Sequence, residues 1–281
     1  MPDKDCSKKL RERLMGYPVI TGKADSKRLS ILNKIYNPIS CDFLKESGLA
    51  TGDTVLEVGC GCGDMACWIG NYIGNRGLVV AVDQDAKQIE IAKAKAKKKN
   101  ISNIEFLCEP LENLPYIFNN HFDFAYTRWT LMFSTKPQLG LKIMYNALKK
   151  RGKLICEDTS VINNGIFTCP QSDVSAKWTD IFVRNFVSLN FPLDFSGSLY
   201  IMFIDLGCKS VSVKVHQPML RNKDDKSIFR LGIQATSRSL VDNKASSEQE
   251  LNKLMNTLKN FENCKHSIIG YARNILISGV K

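Results

Sequence analysis

Three glycines at alternating positions, Gly59-Cys60-Gly61-Cys62-Gly63, directly follow the apolar run Thr54-Val55-Leu56-Glu57-Val58 and precede a helical segment reaching about Ile73. Glycine adopts backbone angles closed to other residues and lets the chain pass close to a ligand. A strand, a glycine turn and a helix whose first N–H groups lack internal partners together make a cradle for a bound group. The turn alone does not name that group, because phosphate-binding and dinucleotide folds use related turns.

The same rhythm continues. Leu78-Val79-Val80-Ala81-Val82 is a second apolar run, ending at Asp83. Asp85 is placed to cap a helix whose inner face carries Ile89, Ala92 and Ala96. The lysines from Lys93 to Lys99 crowd that helix's C-terminal end, where the helix dipole favours cations, so they read as a solvated end. Strands follow at Ile104–Cys108, Phe122–Tyr126 and Lys153–Glu157, with a helix over about Pro137–Lys149. Near-continuous apolar strands alternating with helices predict an α/β fold with a doubly wound, mostly parallel sheet.

Flanking this core, residues 1–28 read as a polar arm. Ser26 to Gly48 has helical spacing interrupted at Pro38, which predicts two short helices. After Asp158 the pattern changes, and residues 161–205 and 223–264 read as largely helical insertions in a domain at 29–281. Val211–Val215 and Asn274–Val280 alternate as strands do.

Composition narrows the partners. The chain has 281 residues and a formal charge of +11. That balance admits a nucleic-acid partner, but the lysines are dispersed and no aromatic-rich basic surface accompanies them, which disfavours one. Ten scattered cysteines do not form a disulfide framework. Cys60-Gly61-Cys62 has no second Cys/His pair at zinc spacing, so no metal is expected. No apolar leader follows Met1, and the run Leu199–Ile204 is too short to span a bilayer, so a cytoplasmic protein without a membrane span is expected. Oligomeric state stays open.

Two acids give the cradle its chemistry. Glu57, inside the first strand, suits a cationic ligand better than a phosphate. Asp83, at the tip of the second, can accept from ribose hydroxyls or cap a helix. With these residues in place, Glu57-Val58-Gly59-Cys60-Gly61-Cys62-Gly63 resembles the first motif of class I S-adenosylmethionine-dependent methyltransferases. Val80-Ala81-Val82-Asp83 is similar to the second motif. Asn113-Leu114-Pro115-Tyr116, Tyr126–Phe133 and Leu148–Leu154 resemble later segments, so the likeness covers about residues 29–160.

The resemblance implies a seven-stranded Rossmann-like sheet with helical lid insertions and S-adenosylmethionine as cofactor. It implies that Glu57 lies near the methionine ammonium, that Gly59, Gly61 and Gly63 line the backbone path, and that Asp83 holds the ribose. Gln84 and Glu109 would meet the adenine, and Arg128 the methionine end. Pro110 departs from the pattern because it lacks an N–H, which passes that duty to Leu111. Arg151-Gly152-Lys153 lacks the family's usual proline and second glycine, which alters turn shape.

A sulfonium methyl is already activated, so the protein need only align an acceptor lone pair and exclude water. Tyr36, Arg128, Trp129, Glu157, Asp158 and Trp178 are expected near the mouth, with Arg128, Asp158 and His216 as catalytic candidates. Phe167, Trp178, Phe182 and Phe186 suit an apolar pocket or ordinary packing. The reading is methyl transfer to oxygen or nitrogen of a small organic acceptor. The alternatives are RNA or protein as acceptor, a non-catalytic cofactor-binding regulator of the same fold, and an NAD-dependent oxidoreductase, which Glu57 argues against.

Overall fold

The computed structural model describes residues 18–20, 25–116 and 118–281. The expected arm therefore lies largely outside the described residues. Seven strands form the main sheet: β1 (Thr54–Val58), β2 (Leu78–Asp83), β3 (Ile104–Cys108), β4 (Phe122–Arg128), β5 (Leu148–Asp158), β7 (Lys209–His216) and β10 (Asn274–Val280). Their order is β3-β2-β1-β4-β5-β10-β7. The β1 to β5 pairings are parallel, while β10 runs antiparallel to both β5 and β7. This is the doubly wound, mostly parallel α/β sheet that the alternating pattern predicts.

The period-two geometry of strands sorts each tip residue onto one of two faces. Leu56, Val58, Val80, Val82, Leu154 and Cys156 belong to one apolar cluster, with the helices α4 (Pro137–Ala147) and α6 (Phe195–Asp205). Val55, Val79, Ala81, Phe124, Tyr126 and Ile155 belong to another, with α1 (Ser26–Glu46), α2 (Asp64–Ile73) and α3 (Ala86–Lys98). Parity then assigns Glu57, Asp83, Arg128 and Glu157 to the α1 face and Asp158 to the opposite one.

A third cluster forms a cover. It joins Ile31, Leu32 and Tyr36 of α1 to α5 (Val174–Ser188), α7 (Lys223–Asp242) and α8 (Glu248–Asn263), with Phe229, Ile233, Leu254 and Leu258 inside. A small antiparallel sheet of β6 (Phe167–Cys169), β9 (Ile268–Gly270) and β8 (Met219–Leu220) accompanies it. The segment 161–205 expected to form part of the lid divides here. Helix α5 joins the cover through Val174 and Ile181, whereas α6 packs Phe195, Leu199 and Phe203 into the sheet's own apolar layer.

Two expectations are corrected. Residues 26–46 form one helix with Pro38 inside it, not two short helices. Proline forfeits one hydrogen bond, but residues on both sides of it are anchored: Tyr36 Oη donates to Ala272 O at 2.6 Å, and Phe43 and Leu44 are buried. The helix also begins inside the expected arm, at Ser26. The lysine run behaves as expected, with Lys95, Lys97 and Lys98 in the last turn of α3, and Lys95 also pairs with Asp64.

Phe229 is fully buried at the centre of the cover, edge-on to Trp178 at 5.5 Å and to Tyr271 at 5.9 Å. Phe229→Ala is expected to cost about 3–5 kcal/mol. Denaturant unfolding measures this, and an unchanged midpoint would show that the cover folds independently of the rest.

Candidate active site

The glycine loop leaves β1 with Gly59, Gly61 and Gly63 all at positive φ. Their surroundings differ. A Cβ at Gly59 would lie 2.0 Å from Thr130 Oγ1, and one at Gly63 would lie 2.7 Å from Ala92 Cβ, so both positions are closed by close packing. A Cβ at Gly61 would meet nothing within 4 Å. Gly61 is therefore the glycine whose missing side chain opens space beside the loop.

Asp83 braces that loop. Its Oδ2 accepts from Gly61 N–H at 2.8 Å and its Oδ1 from Asp85 N–H at 2.9 Å. A carboxylate offers about four acceptor sites, and the Gln84 N–H also lowers the Asp83 pKa, so these bonds do not exhaust it. The helix-cap role belongs to Asp85, which accepts from Lys87 N–H at 2.8 Å. Gln84 is exposed beside Asp83. Glu109 donates its N–H to Asp83 O at 3.1 Å, and its carboxylate accepts from Asn113 at 2.8 Å. Leu111 starts the short helix after Pro110 and packs its side chain toward Gly140.

Glu57 is 4% exposed, and its Oε2 has no hydrogen-bond partner. Burial pushes its carboxyl up to about 8, against the lowering pull of Arg128. Arg128, at the tip of the adjacent strand β4, is half-buried. Its Nη1 donates to Ser40 Oγ at 2.9 Å, and its Nη2 to Asn37 Oδ1 at 2.9 Å and Asn33 Oδ1 at 3.3 Å. Among the described residues no ion pair joins Arg128 to Glu57. A buried carboxylate with one oxygen unpartnered thus lies on the same sheet face as a guanidinium whose hydrogen bonds go elsewhere.

The structure places the other residues expected at the mouth as follows. Glu157 is fully buried and accepts from Ser40 Oγ at 2.6 Å. Trp129 has φ +51, a strained conformation for a bulky side chain that costs on the order of 1–3 kcal/mol. Two hydrogen bonds hold it, from its N–H to Glu157 O at 2.9 Å and from Nε1 to Asn274 Oδ1 at 3.0 Å. Its ring meets Tyr36 edge-on at 4.8 Å. Trp178 stacks on Phe182 at 4.1 Å inside the cover. Phe186 is core and Phe167 is exposed.

Two catalytic candidates lie apart from Glu57. Asp158 is fully buried on the other face, where its carboxylate accepts from Thr159 N–H at 3.0 Å and Met132 N–H at 3.3 Å. Burial raises its carboxyl to about 8 despite those bonds. His216 ends β7 behind Tyr36, with ring centroids 6.0 Å apart, and burial lowers its pKa. The sequence reading missed Asn33, Asn37, Ser40 and Asn274. Helical spacing of the first three, one polar residue per turn on one stripe of α1, was the available signal.

The fold and this donor set resemble those of Rossmann-like methyltransferases. Residues 49–185 match the model of a family described as "Methyltransferase domain". The demethylmenaquinone methyltransferase of Lactococcus lactis is 32% identical over 148 residues, 46% of this chain and 58% of that protein. A ubiquinone/menaquinone biosynthesis C-methyltransferase of Pseudomonas fluorescens is 29% identical over 123 residues, 43% of this chain and 48% of that one. The chain spans about half the length of the curated relatives it matches. Among solved structures, a putative methyltransferase from Bacillus halodurans superposes with a TM-score of 0.58 at 17% identity, over 86% of this chain and 97% of that one. A phosphoethanolamine N-methyltransferase of Haemonchus contortus in complex with S-adenosylhomocysteine gives 0.54 at 17%, over 99% of this chain and 57% of that one. Among the described residues no helix is long and apolar enough to cross a membrane.

Glu57 generates two opposite expectations. Its raised carboxyl keeps a proton in the native state that the unfolded chain releases, so the fold loses stability as pH rises from the ordinary carboxylate range through about 8. Glu57→Gln removes that cost and is expected to raise the melting temperature of the ligand-free protein above about pH 8. The same variant is expected to bind S-adenosylhomocysteine at least about tenfold more weakly, having lost a charged partner. Melting curves and calorimetry check both, and a variant matching the native protein in each would make Glu57 a bystander.

Proposed function

We propose that the protein transfers a methyl group from S-adenosylmethionine to a carbon atom of a small organic acceptor with an apolar body. The observation that carries the cofactor half is the buried Glu57 carboxylate with an unpartnered oxygen, beside a glycine loop in which Gly61 leaves open space. In this reading Glu57 receives the methionine ammonium and Arg128 the methionine carboxylate. The backbone of Gly59, Gly61 and Gly63 follows the ligand, and Asp83 offers its remaining acceptor sites to the ribose. Gln84, Glu109 and Leu111 border the adenine, with the Leu111 N–H serving where Pro110 has none. Bound S-adenosylmethionine supplies an activated methyl on a sulfonium centre.

The acceptor half rests on the relatives and on the cover. Oxygen or nitrogen is the acceptor atom expected from sequence, but the C-methyltransferase named among the relatives directs the reading to carbon. Trp129, Trp178 and Phe182 supply flat apolar surfaces suited to an aromatic acceptor and to keeping water out. A carbon nucleophile draws its electrons from its own conjugated hydroxyl, so the acceptor, more than a protein base, sets reactivity. That suits a site in which Asp158 is occupied by backbone N–H groups and His216 lies behind Tyr36.

Two measurements test this. Incubation with methyl-labelled S-adenosylmethionine and a panel of hydroquinones, phenols and amines is expected to place label on ring carbon, identified by mass spectrometry. Label on amines alone would refute the carbon assignment, and tighter binding of NAD than of S-adenosylhomocysteine would refute the cofactor. Trp178→Ala is expected to lower acceptor turnover while changing cofactor affinity less than about twofold, since Trp178 lies in the cover. An unchanged turnover would remove the cover from the acceptor site.

A further inference from the structure

We infer that the polar stripe of α1, above all Asn37 and Ser40, positions Arg128 for the amino-acid end of the cofactor and keeps it from collapsing onto Glu57. This rests on the proposed cofactor. Arg128 has five N–H donors, and three of its N–H groups are committed to Ser40, Asn37 and Asn33. These acceptors stand one helical turn apart on α1, so one rigid element grips the guanidinium. The remaining donors have no protein acceptor among the described residues.

Ser40 has a second task. Its fully buried hydroxyl accepts from Arg128 and lies 2.6 Å from Glu157 Oε2, to which it donates. Arg128 and Glu157 are register partners on neighbouring parallel strands. Ser40 therefore connects the guanidinium to its nearest fixed countercharge through a hydroxyl. Glu157 is further held by Asn274 at 3.4 Å. Two buried carboxylates, Glu57 and Glu157, compete electrostatically for one cation. The α1 stripe settles the competition by tying Arg128 to the Glu157 side, which leaves Glu57 for the ligand ammonium. Nothing in the polar stripe touches ligand directly in this account. Asn37 and Ser40 act through Arg128 and are positioning residues.

The consequence is selective. Loss of either contact frees Arg128 to pair with Glu57, and the slot for a zwitterion closes while the ribose and adenine side of the cradle, on Asp83 and the glycine loop, stays intact. The test compares two ligands by calorimetry on the full chain: S-adenosylhomocysteine, which has the amino-acid end, and 5′-methylthioadenosine, which lacks it. Asn37→Ala and Ser40→Ala are each expected to weaken S-adenosylhomocysteine by at least about tenfold, the loss of a charge-assisted contact, and to leave 5′-methylthioadenosine within about twofold. The pair of variants guards against one failing to fold. Equal weakening of both ligands would reduce the stripe to general packing and overturn the inference, as would native affinity for S-adenosylhomocysteine in both variants. Native protein that binds neither ligand would instead overturn the cofactor reading on which the inference rests.

Discussion

The separation of one buried carboxylate from one guanidinium organises this molecule. Left to themselves, Glu57 and Arg128 would pair, because their attraction grows as water is excluded and an unpaired buried charge is costly. They sit on adjacent strands, on the same face. Burial raises the Glu57 carboxyl to about 8, against the lowering pull of Arg128. Such a group is destabilising in the free protein and becomes useful when a cation arrives. The fold tolerates it because Arg128 has been satisfied from another direction, by a helix that crosses the strand tips.

That helix also explains how the cover is attached. Helix α1 contributes Ile31, Leu32 and Tyr36 to the cover's apolar cluster and Cys41, Phe43 and Leu44 to the cluster beneath the sheet. Its N-terminal half belongs to one body and its C-terminal half to the other, with Asn37 and Ser40 at the junction. Lys34 adds an ion pair to Asp225 of α7 at 2.7 Å. Helix α1 thus joins the cover and the sheet through packed side chains.

Much of this was legible in the sequence because it is local. The strand, glycine turn and helix around Gly61 and the alternation of apolar strands need only short windows, and the sheet has the order and direction they imply. Strand parity was equally available: residues 55, 57, 79, 81 and 83 could have been assigned to one face before any coordinates. The remaining features are long-range. Ser40 lies 88 residues from Arg128 and 117 from Glu157, so no window reveals their contact. Pro38 was read by its local cost, whereas anchoring by Tyr36 and Phe43 overrides it. The placement of α6 turned on which surface would bury Phe195, Leu199 and Phe203, and a helix with apolar residues all round gives no indication. Strands as short as β8 leave no pattern at all.

The same parity that gathers the cofactor residues also separates the acids by task. Asp158 follows Glu157 by one residue and therefore faces away from Glu57. Its carboxylate receives N–H groups from Thr159 and Met132, and that of Thr130 lowers its pKa as well. These N–H groups belong to the chain around β5's end and to the turn after Arg128, where Trp129 is strained and Thr130 presses on Gly59. Asp158 thus braces the turn beside the glycine loop from the sheet face opposite Glu57. Glu57 and Asp158 have equally raised carboxyls for different reasons: one lacks partners, and the other has them but lies in the apolar interior. A raised pKa alone would have ranked the two together, whereas the partner each carboxylate lacks or holds separates them.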